Sequence, residues 1–369
     1  MLSPIPIQNL YYLFCYAWDR LEEGEVIDVA GVESPELVDL FAKVLAGGVR
    51  HLVRRGIDRQ YVEHEDILST VRGRIDVSSS LLLAMRRVPQ LHCEFDELSA
   101  DTLPNRILRE TLVRLARVNG IHPSNARTLG TLAKFFRDVS NLRITKQHFH
   151  QVQLYRHNAY YGFLLNICEL IHEATLPEGT GGRYRFSDIL RDERKMALIF
   201  QAFVKNFLRI EQSKYEVRSL QFEWDAEGDE ADIRLLPKMT TDIHLVSGDE
   251  RIIIDTKYYG EALQENYGKR SLRSENLYQL FSYLKNSEKR GPEYSAAKGV
   301  LLYPAIGITP AFRAMIQGHE IRVVTVNLDQ PWQQVRRELL GLFGCDVRDS
   351  ALSGYSLALN RERQSPPLT

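Results

Sequence analysis

The chain has 369 residues, 44% hydrophobic and 26% charged, a globular composition that excludes collagenous, fibrous and disordered classes. Its 47 Lys and Arg residues nearly balance 48 Asp and Glu residues, so the formal net charge of -1 provides no whole-chain attraction to nucleic acid or anionic lipid. Four widely spaced cysteines without a C-x-x-C pair argue against a zinc ribbon or a disulfide framework and favour a reduced, cytoplasmic protein.

The N-terminal half combines predicted helices with short extended runs. It begins without a basic leader, and no part of the chain has the run of about 18 apolar residues that a membrane span needs. In chain order, the predicted elements are a helix over 8–21, a helix from about Ser34 to Arg54, extended runs over 56–67 and 70–79, and a helix over about 102–118. This order predicts an α+β N-terminal domain, to which we assign residues 1–150.

A glycine-rich stretch at 178–185 lies between two strongly helical patterns and predicts the main domain boundary. We assign 151–182 to a helical connector and linker, 183–345 to a C-terminal domain, and 346–369 to a flexible tail. A phosphate-binding loop is the functional alternative for the glycines. The chain has no G-x-x-x-x-G-K-[ST] motif, however, so we predict that it does not hydrolyse nucleotide by itself.

The C-terminal domain shows the clearest periodicity. Apolar residues from Met196 to Leu208 recur at i, i+3, i+4 and i+7, which predicts an amphipathic helix. Strands are predicted at 221–225, 241–246, 251–259, 299–306 and 321–328, and helices at about 274–287 and 310–317. The short segment 247–250 predicts an antiparallel hairpin. Together these elements predict an α/β domain with a mixed central sheet flanked by helices.

Two aspartates occur on the strands of this hairpin. Asp242 opens the first strand, and Asp255 follows three isoleucines on the second, with Lys257 on the same face. Asp242, Asp255 and the Thr256 main-chain carbonyl are hard oxygen ligands that suit Mg²⁺, and Lys257 could orient a water or stabilise charge on a phosphate. A turn aspartate and a surface charge pair are the alternative interpretations.

The helix at 274–287 carries a polar stripe of Asn276, Gln279 and Tyr283, beside an apolar stripe. The polar stripe could face DNA or a catalytic water, and a solvated outer face is the alternative. Residues 251–300 hold 9 basic and 6 acidic side chains. The basic side chains just before the helix, Arg273 among them, could contact phosphates or belong to an exposed loop.

The hairpin followed by Gln279-x-x-x-Tyr283 resembles the core of PD-(D/E)xK nucleases. An ordered series of motifs runs from residue 5 to about 345: IPIQNLYYLFCYAW, HLVRRG, VRGRID, DTLPNRIL, YRFSDILRDERKM, LLPKMTTDI, IDTKYY, ENLYQLFSYL and LLYP. This series resembles the McrC family, the nuclease subunits of McrBC-type modification-dependent restriction systems.

The resemblance implies roles for the matched residues. Asp242 and Asp255 would be metal ligands and Lys257 the third catalytic residue, with Gln279 and Tyr283 as accessory positions. Some nucleases of this superfamily add a helix glutamate as another metal ligand. Glu193 could serve in this role, whereas position 201, where some related helices carry glutamate, is Gln201.

The resemblance also implies a partner, a McrB-like hexameric AAA+ GTPase that binds GTP and recognises methylcytosine in double-stranded DNA. The N-terminal half would project into the ring and stimulate GTP hydrolysis. We expect the segment from Val71 to Val77, with Arg72 and Arg74, to contact the ring; a β-turn with solvated arginines is the alternative.

The combined prediction is a Mg²⁺-dependent DNA endonuclease subunit of a GTP-driven, 5-methylcytosine-directed restriction complex. Two alternatives remain. A non-catalytic adaptor would only stimulate the AAA+ ring, and a stand-alone repair exonuclease would need the hairpin but leaves the N-terminal half unexplained.

Overall fold

The computed structural model describes residues 5–20, 36–155, 158, 160–178, 182–187, 189–258, 263–266, 269–305 and 312–345. The chain divides into two compact units. We call Met1–Leu21 together with Ile189–Thr369 the six-strand unit, and Glu22–Asp188 the three-strand unit, after their largest sheets. In the described part of the chain, no helix is long and apolar enough to cross a membrane.

The helices and strands of the described residues are numbered in chain order. The α-helices are α1 (Ile7–Ala17), α2 (Leu37–Arg55), α3 (Val77–Met85), α4 (Leu103–Leu115), α5 (Pro123–Ala133), α6 (Lys146–Gln151), α7 (Tyr160–Ala174), α8 (Glu193–Glu211), α9 (Glu230–Ile233), α10 (Ser274–Ser287) and α11 (Trp332–Gly341). The strands are β1 (Gln60–Leu68), β2 (Arg74–Ile75), β3 (Leu91–Ser99), β4 (Thr175–Glu178), β5 (Arg183–Phe186), β6 (Glu216–Arg218), β7 (Gln221–Phe222), β8 (Met239–Thr240), β9 (Ile243–Ser247), β10 (Glu250–Thr256), β11 (Leu263–Asn266), β12 (Lys269–Leu272), β13 (Lys298–Ala305), β14 (Phe312–Ile316) and β15 (His319–Asn327).

The six-strand unit is built on a mixed sheet of order β14-β15-β13-β10-β9-β6. Strands β10, β13 and β15 run parallel, and the other pairs are antiparallel. Central parallel strands are covered on both faces, and Ile252, Ile253 and Ile254 of β10 are accordingly all buried. Helix α10 packs on one face through Leu280 and Leu284. The predicted mixed sheet, the hairpin and the 274–287 helix are confirmed.

Helix α1 belongs to the six-strand unit, which corrects its assignment to an N-terminal domain over 1–150. It packs on α8, where the Tyr16 hydroxyl donates to the buried Glu211 carboxylate. Arg336 of α11 donates to the same carboxylate from Nε and Nη2, at 2.7 and 2.6 Å. The apolar sequence of α1 is typical of a buried helix, but such a sequence does not specify which core covers it.

The three-strand unit contains an antiparallel sheet of order β1-β3-β2 and a group of helices in which α2, α4, α5 and α7 contact one another. The predicted helices over 34–54 and 102–118 correspond to α2 and α4, and the extended run over 56–67 corresponds to β1. The extended run predicted over 70–79 is wrong in part: only β2 is a strand, and residues 77–79 begin helix α3, where the Asp76 side chain caps the helix by accepting from Ser78 N and Ser79 N. Residue 34, where the second predicted helix begins, lies outside the described residues, as do the glycines at 179 and 181 and the predicted tail at 346–369.

Two predicted elements of the six-strand unit are wrong. Residues 312–316 of the predicted 310–317 helix form strand β14, whose side chains alternate in exposure along its pairing with β15. Gln317 and Gly318 have positive φ angles of 48° and 90° and turn the chain between the two strands. The predicted strand at 221–225 is reduced to β7, which pairs with β8 outside the main sheet.

Candidate functional site

The β9–β10 hairpin brings Asp242 and Asp255 to neighbouring positions. Ile243 pairs with Ile254, so the two aspartates lie side by side, just before the start of β9 and near the end of β10. One oxygen of Asp242, Oδ2, accepts hydrogen bonds from the main-chain N and the Oγ1 of Thr256, both at 2.8 Å. Asp242 is thus held in a fixed orientation by the residue that follows Asp255.

Asp255 is a buried carboxylate, with 1% of its surface exposed. Burial raises its pKa to about 6, while the positive charge of Lys257 opposes this shift and the nearby negative charge of Asp242 adds to it. Lys257 forms an ion pair with it, with 2.9 Å between Nζ and Oδ2. The main-chain N of Lys257 donates to the Leu302 carbonyl at 2.9 Å, which fixes the chain directly after the buried strand.

Lys257 also connects the hairpin to helix α10. Its Nζ donates to Gln279 Oε1 at 2.8 Å, and Gln279 Nε2 donates to the Tyr283 hydroxyl at 2.9 Å. Gln279 and Tyr283 are four residues apart and therefore share one face of the helix. Burial raises the pKa of Tyr283, opposed by the Gln279 hydrogen bond and reinforced by the charges of Asp255 and Asp242.

Asn276, the third member of the predicted polar stripe, does not take part in the hydrogen bonds that join Lys257, Gln279 and Tyr283. It is 3% exposed and donates through Nδ2 to the hydroxyl of the buried Tyr303 at 3.0 Å. Sequence reasoning gave Tyr303 no role. Its position in the sheet would have identified it: Leu301 of β13 pairs with Asp255, and Tyr303 lies two residues after Leu301 on the same strand.

Glu193 lies in the first turn of α8, where it is exposed. No group of three or more His, Cys, Asp or Glu side chains suited to a metal occurs among the residues described above, so Glu193 does not join the two aspartates. The donor set is therefore the carboxylates of Asp242 and Asp255, with the Thr256 carbonyl adjoining them. This set fits Mg²⁺, which takes few protein carboxylates and retains several waters, and a cation would offset the burial of Asp255.

In the three-strand unit, we call residues Arg72–Arg74 of the predicted contact segment the tip. Both of its arginines contact side chains of the same unit. Arg72 lies over the Phe95 ring at 4.0 Å, and Arg74 forms an ion pair with Glu94. Gly73 has a φ of +66°, and a Cβ there would lie 2.3 Å from the Glu94 carbonyl oxygen. Only glycine therefore fits between the two arginines without a shift of the backbone.

Helix α3 follows this tip and exposes apolar side chains. Val77, Leu81, Leu82 and Met85 are between 59% and 75% exposed, and Tyr61 of β1 is 74% exposed. Isolated exposed apolar residues are normal in proteins, but several on one short helix are typical of an interaction surface.

In the six-strand unit, Arg273 precedes α10 and is half-buried, whereas the side chains of β12 lie outside the described residues.

Comparisons with known proteins agree over most of the chain. A family model described as McrBC 5-methylcytosine restriction system component matches residues 8–304. The type IV methyl-directed restriction enzyme EcoKMcrBC of Escherichia coli strain K12 is 32% identical over 340 residues, which cover 92% of this chain and 97% of that protein.

A solved structure has a similar fold. It is the refined half-complex from the tetradecameric assembly of Thermococcus gammatolerans McrB AAA+ hexamers with bound McrC. The match has a TM-score of 0.60 and 18% sequence identity, and it covers 91% of this chain and 76% of the matched chain. At this identity the likeness shows a common fold.

Proposed function

The chain belongs to the McrBC 5-methylcytosine restriction family, and from this premise we propose that it is the McrC-type DNA endonuclease subunit of a GTP-driven restriction complex. One observation carries the proposal. A buried aspartate, a second aspartate on the adjacent strand and a lysine linked to Gln279 and Tyr283 meet at one edge of the sheet. The order D…D-x-K on a hairpin next to a parallel strand supports a PD-(D/E)xK type of nuclease core.

The reaction that suits these groups is phosphodiester hydrolysis. Asp242 and Asp255 would hold Mg²⁺, with the Thr256 carbonyl as the third protein ligand. Bound there, the ion would lower the pKa of a water and neutralise charge on the scissile phosphate. Lys257, fixed between Asp255 and Gln279, would orient the attacking water or stabilise negative charge on the phosphate oxygens. Tyr283 and Gln279 would position the DNA strand beside it.

The proposed partner is a McrB-like hexameric AAA+ GTPase. The E. coli relative is named a methyl-directed restriction enzyme, and the structure of similar fold contains McrB AAA+ hexamers with bound McrC. We infer that the ring binds GTP and recognises methylcytosine in double-stranded DNA. The tip Arg72-Gly73-Arg74, which excludes any residue with a Cβ at its centre, and the exposed apolar residues of α3 support docking of the three-strand unit on this ring.

The cytoplasm is the proposed location. All four cysteines are buried and free of disulfides, which is the usual state in a reducing compartment. A non-catalytic adaptor is less well supported, because an adaptor would have no need for a buried carboxylate with a raised pKa beside a second aspartate and a lysine.

The test combines the full chain, its ring partner, GTP, Mg²⁺ and matched methylated and unmethylated DNA. Wild type is compared with Asp255→Ala and with Asp249→Ala, an exposed aspartate in the turn of the same hairpin. We expect cuts that require GTP, methylation and Asp255, with both variants stimulating GTP turnover as wild type does. Stimulated turnover without cuts from wild type would leave only the adaptor.

A further inference from the structure

A buried pair of polar side chains lies between β13 and α10, on the side of the candidate site away from solvent. Tyr303 is 1% exposed and Asn276 is 3% exposed, and the amide donates to the phenolic oxygen at 3.0 Å. Their surroundings are apolar, since Ile253, Leu280 and Leu301 belong to the same buried cluster as Tyr303. Burying two polar groups in such a cluster lowers the stability of the fold, and their hydrogen bond offsets only part of this loss. Apolar residues at these positions would avoid it.

The sheet register brings Tyr303 to the same face as Asp255. Leu301 pairs with Asp255 in the parallel β10–β13 ladder, and side chains alternate along a strand. Tyr303 is two residues after Leu301 and therefore lies on the same face of the sheet, which α10 covers, closer to the C-terminal end of β13. On this face of the sheet, Lys257 is hydrogen-bonded to the exposed Gln279 of α10, and Tyr303 is hydrogen-bonded to the buried Asn276 of the same helix.

The direction of the Asn276 hydrogen bond leaves the Tyr303 hydroxyl with a proton to donate. An amide NH₂ has only donors, so the phenolic oxygen accepts and its own hydrogen is directed elsewhere. Burial raises the pKa of Tyr303, the Asn276 hydrogen bond lowers it, and the negative charge of Asp255 raises it further. The Asp255 carboxylate is thus an acceptor within electrostatic reach of this hydroxyl.

We propose that Tyr303, held by Asn276, is a positioning residue for Asp255, orienting the buried carboxylate toward a divalent cation. The inference rests on the proposed function. No hydrogen bond joins Asp255 to the Tyr303 hydroxyl in the structure, so the hydroxyl would act through one bridging water, which would fix the rotation of the carboxylate. Groups that orient metal ligands in this way contribute about 10- to 100-fold to metal affinity.

The experiment measures Mn²⁺ binding to the full chain by the EPR signal of the free ion, with Mn²⁺ as a probe for the Mg²⁺ site. Tyr303→Phe is compared with Tyr294→Phe, which removes a hydroxyl from another buried tyrosine of the same unit. We expect Tyr303→Phe to weaken Mn²⁺ binding about tenfold or more, and Tyr294→Phe to leave it unchanged. Urea unfolding midpoints establish that both variants are folded.

Asn276→Ala and the double variant test whether the two side chains act as one unit. If Asn276 acts only through the Tyr303 hydroxyl, the double variant binds Mn²⁺ no more weakly than Tyr303→Phe alone. Wild-type affinity in a folded Tyr303→Phe protein would overturn the inference while leaving the proposed function intact. Mn²⁺ binding that Asp255→Ala does not reduce would instead overturn the proposed function.

Discussion

Strand β10 of the six-strand unit and strand β1 of the three-strand unit are similar in length but opposite in what they bury. From Ile252 to Thr256, β10 is entirely buried, and its burial includes the charged Asp255. Strand β1 is exposed from Gln60 to Ile67, including the aromatic ring of Tyr61. A buried carboxylate and an exposed tyrosine each raise the free energy of the isolated chain. A bound cation would offset the first and a protein partner the second, so we expect the two units to have different ligands.

The largest expected effect separates cleavage from partner stimulation. Lys257→Gln removes the ammonium group between Asp255 and Gln279, so we expect DNA cleavage to fall by about 10²- to 10³-fold. Stimulation of GTP turnover by the ring should stay within about twofold, because the three-strand unit is unchanged. Lys298→Gln, which removes a lysine paired with Glu250 on the same sheet, is the control in both assays. Equal loss of both activities would contradict a division of labour between the units.

The converse variant is Gly73→Ala in the three-strand unit. Its Cβ would lie 2.3 Å from a carbonyl oxygen, so the tip that carries Arg72 and Arg74 must shift. We expect stimulation of GTP turnover to fall by up to about 100-fold, since displacement of a contact by about 1 Å can have that effect. Gly120→Ala is the control, because Gly120 has a similar φ of +87° but no atom within 4 Å of the added Cβ. If both variants stimulate normally, the tip is not the contact.

The burial of Asp255 predicts a pH dependence of stability. Its pKa is about 6 in the folded chain against an ordinary value of 3.8, so between these values the folded state holds more protons than the unfolded state. Stability therefore falls as pH rises through this window and stays low above pH 6. In EDTA, the stability of Asp255→Asn relative to wild type should rise by about 2 kcal/mol between pH 4 and pH 8. Urea unfolding at the two pH values measures this difference, and an unchanged difference would mean that Asp255 is not strained by burial.

The smallest expected effect concerns the exposed face of α3. Replacing Leu81 and Met85 together by serine should weaken binding to the ring about fivefold, because each loses apolar contact area with the partner. Stability should change by less than about 0.5 kcal/mol, since both side chains are already exposed. Leu235→Ser, at an 81% exposed leucine of the six-strand unit, is the control. Fluorescence anisotropy of the labelled chain measures binding, and equal affinities would remove α3 from the interface.

The parts of the site that could be predicted from the sequence are those fixed by local patterns. The apolar run before Asp255, the short turn after β9 and the i, i+4 spacing of Gln279 and Tyr283 each determine neighbours within one element or one hairpin. The spacing of Asn276 is equally regular, but what covers it depends on β13, which lies more than 20 residues away. The exposure of Glu193 is likewise set by tertiary packing.

The sequence predicts a helix where β14 lies because the five residues of β14 satisfy both periodicities, and only the pairing of β14 with β15 decides between them. For helix α1, the sequence predicts the helix but not the core in which it packs. Its partner Glu211 is almost 200 residues away, and a buried glutamate on an amphipathic helix gives no sign of the tyrosine and arginine that contact it.

The attachment of α1 to α8 has a consequence for synthesis on the ribosome. The whole three-strand unit, residues 22–188, leaves the ribosome between α1 and its packing partner. At about 5–20 residues per second, α8 is synthesised roughly 10–40 s after α1. During this interval, Leu10, Leu13 and Phe14, which are buried in the finished protein, have no native core to enter. We expect α1 to be a chaperone-binding segment of the nascent chain, while the three-strand unit can already fold.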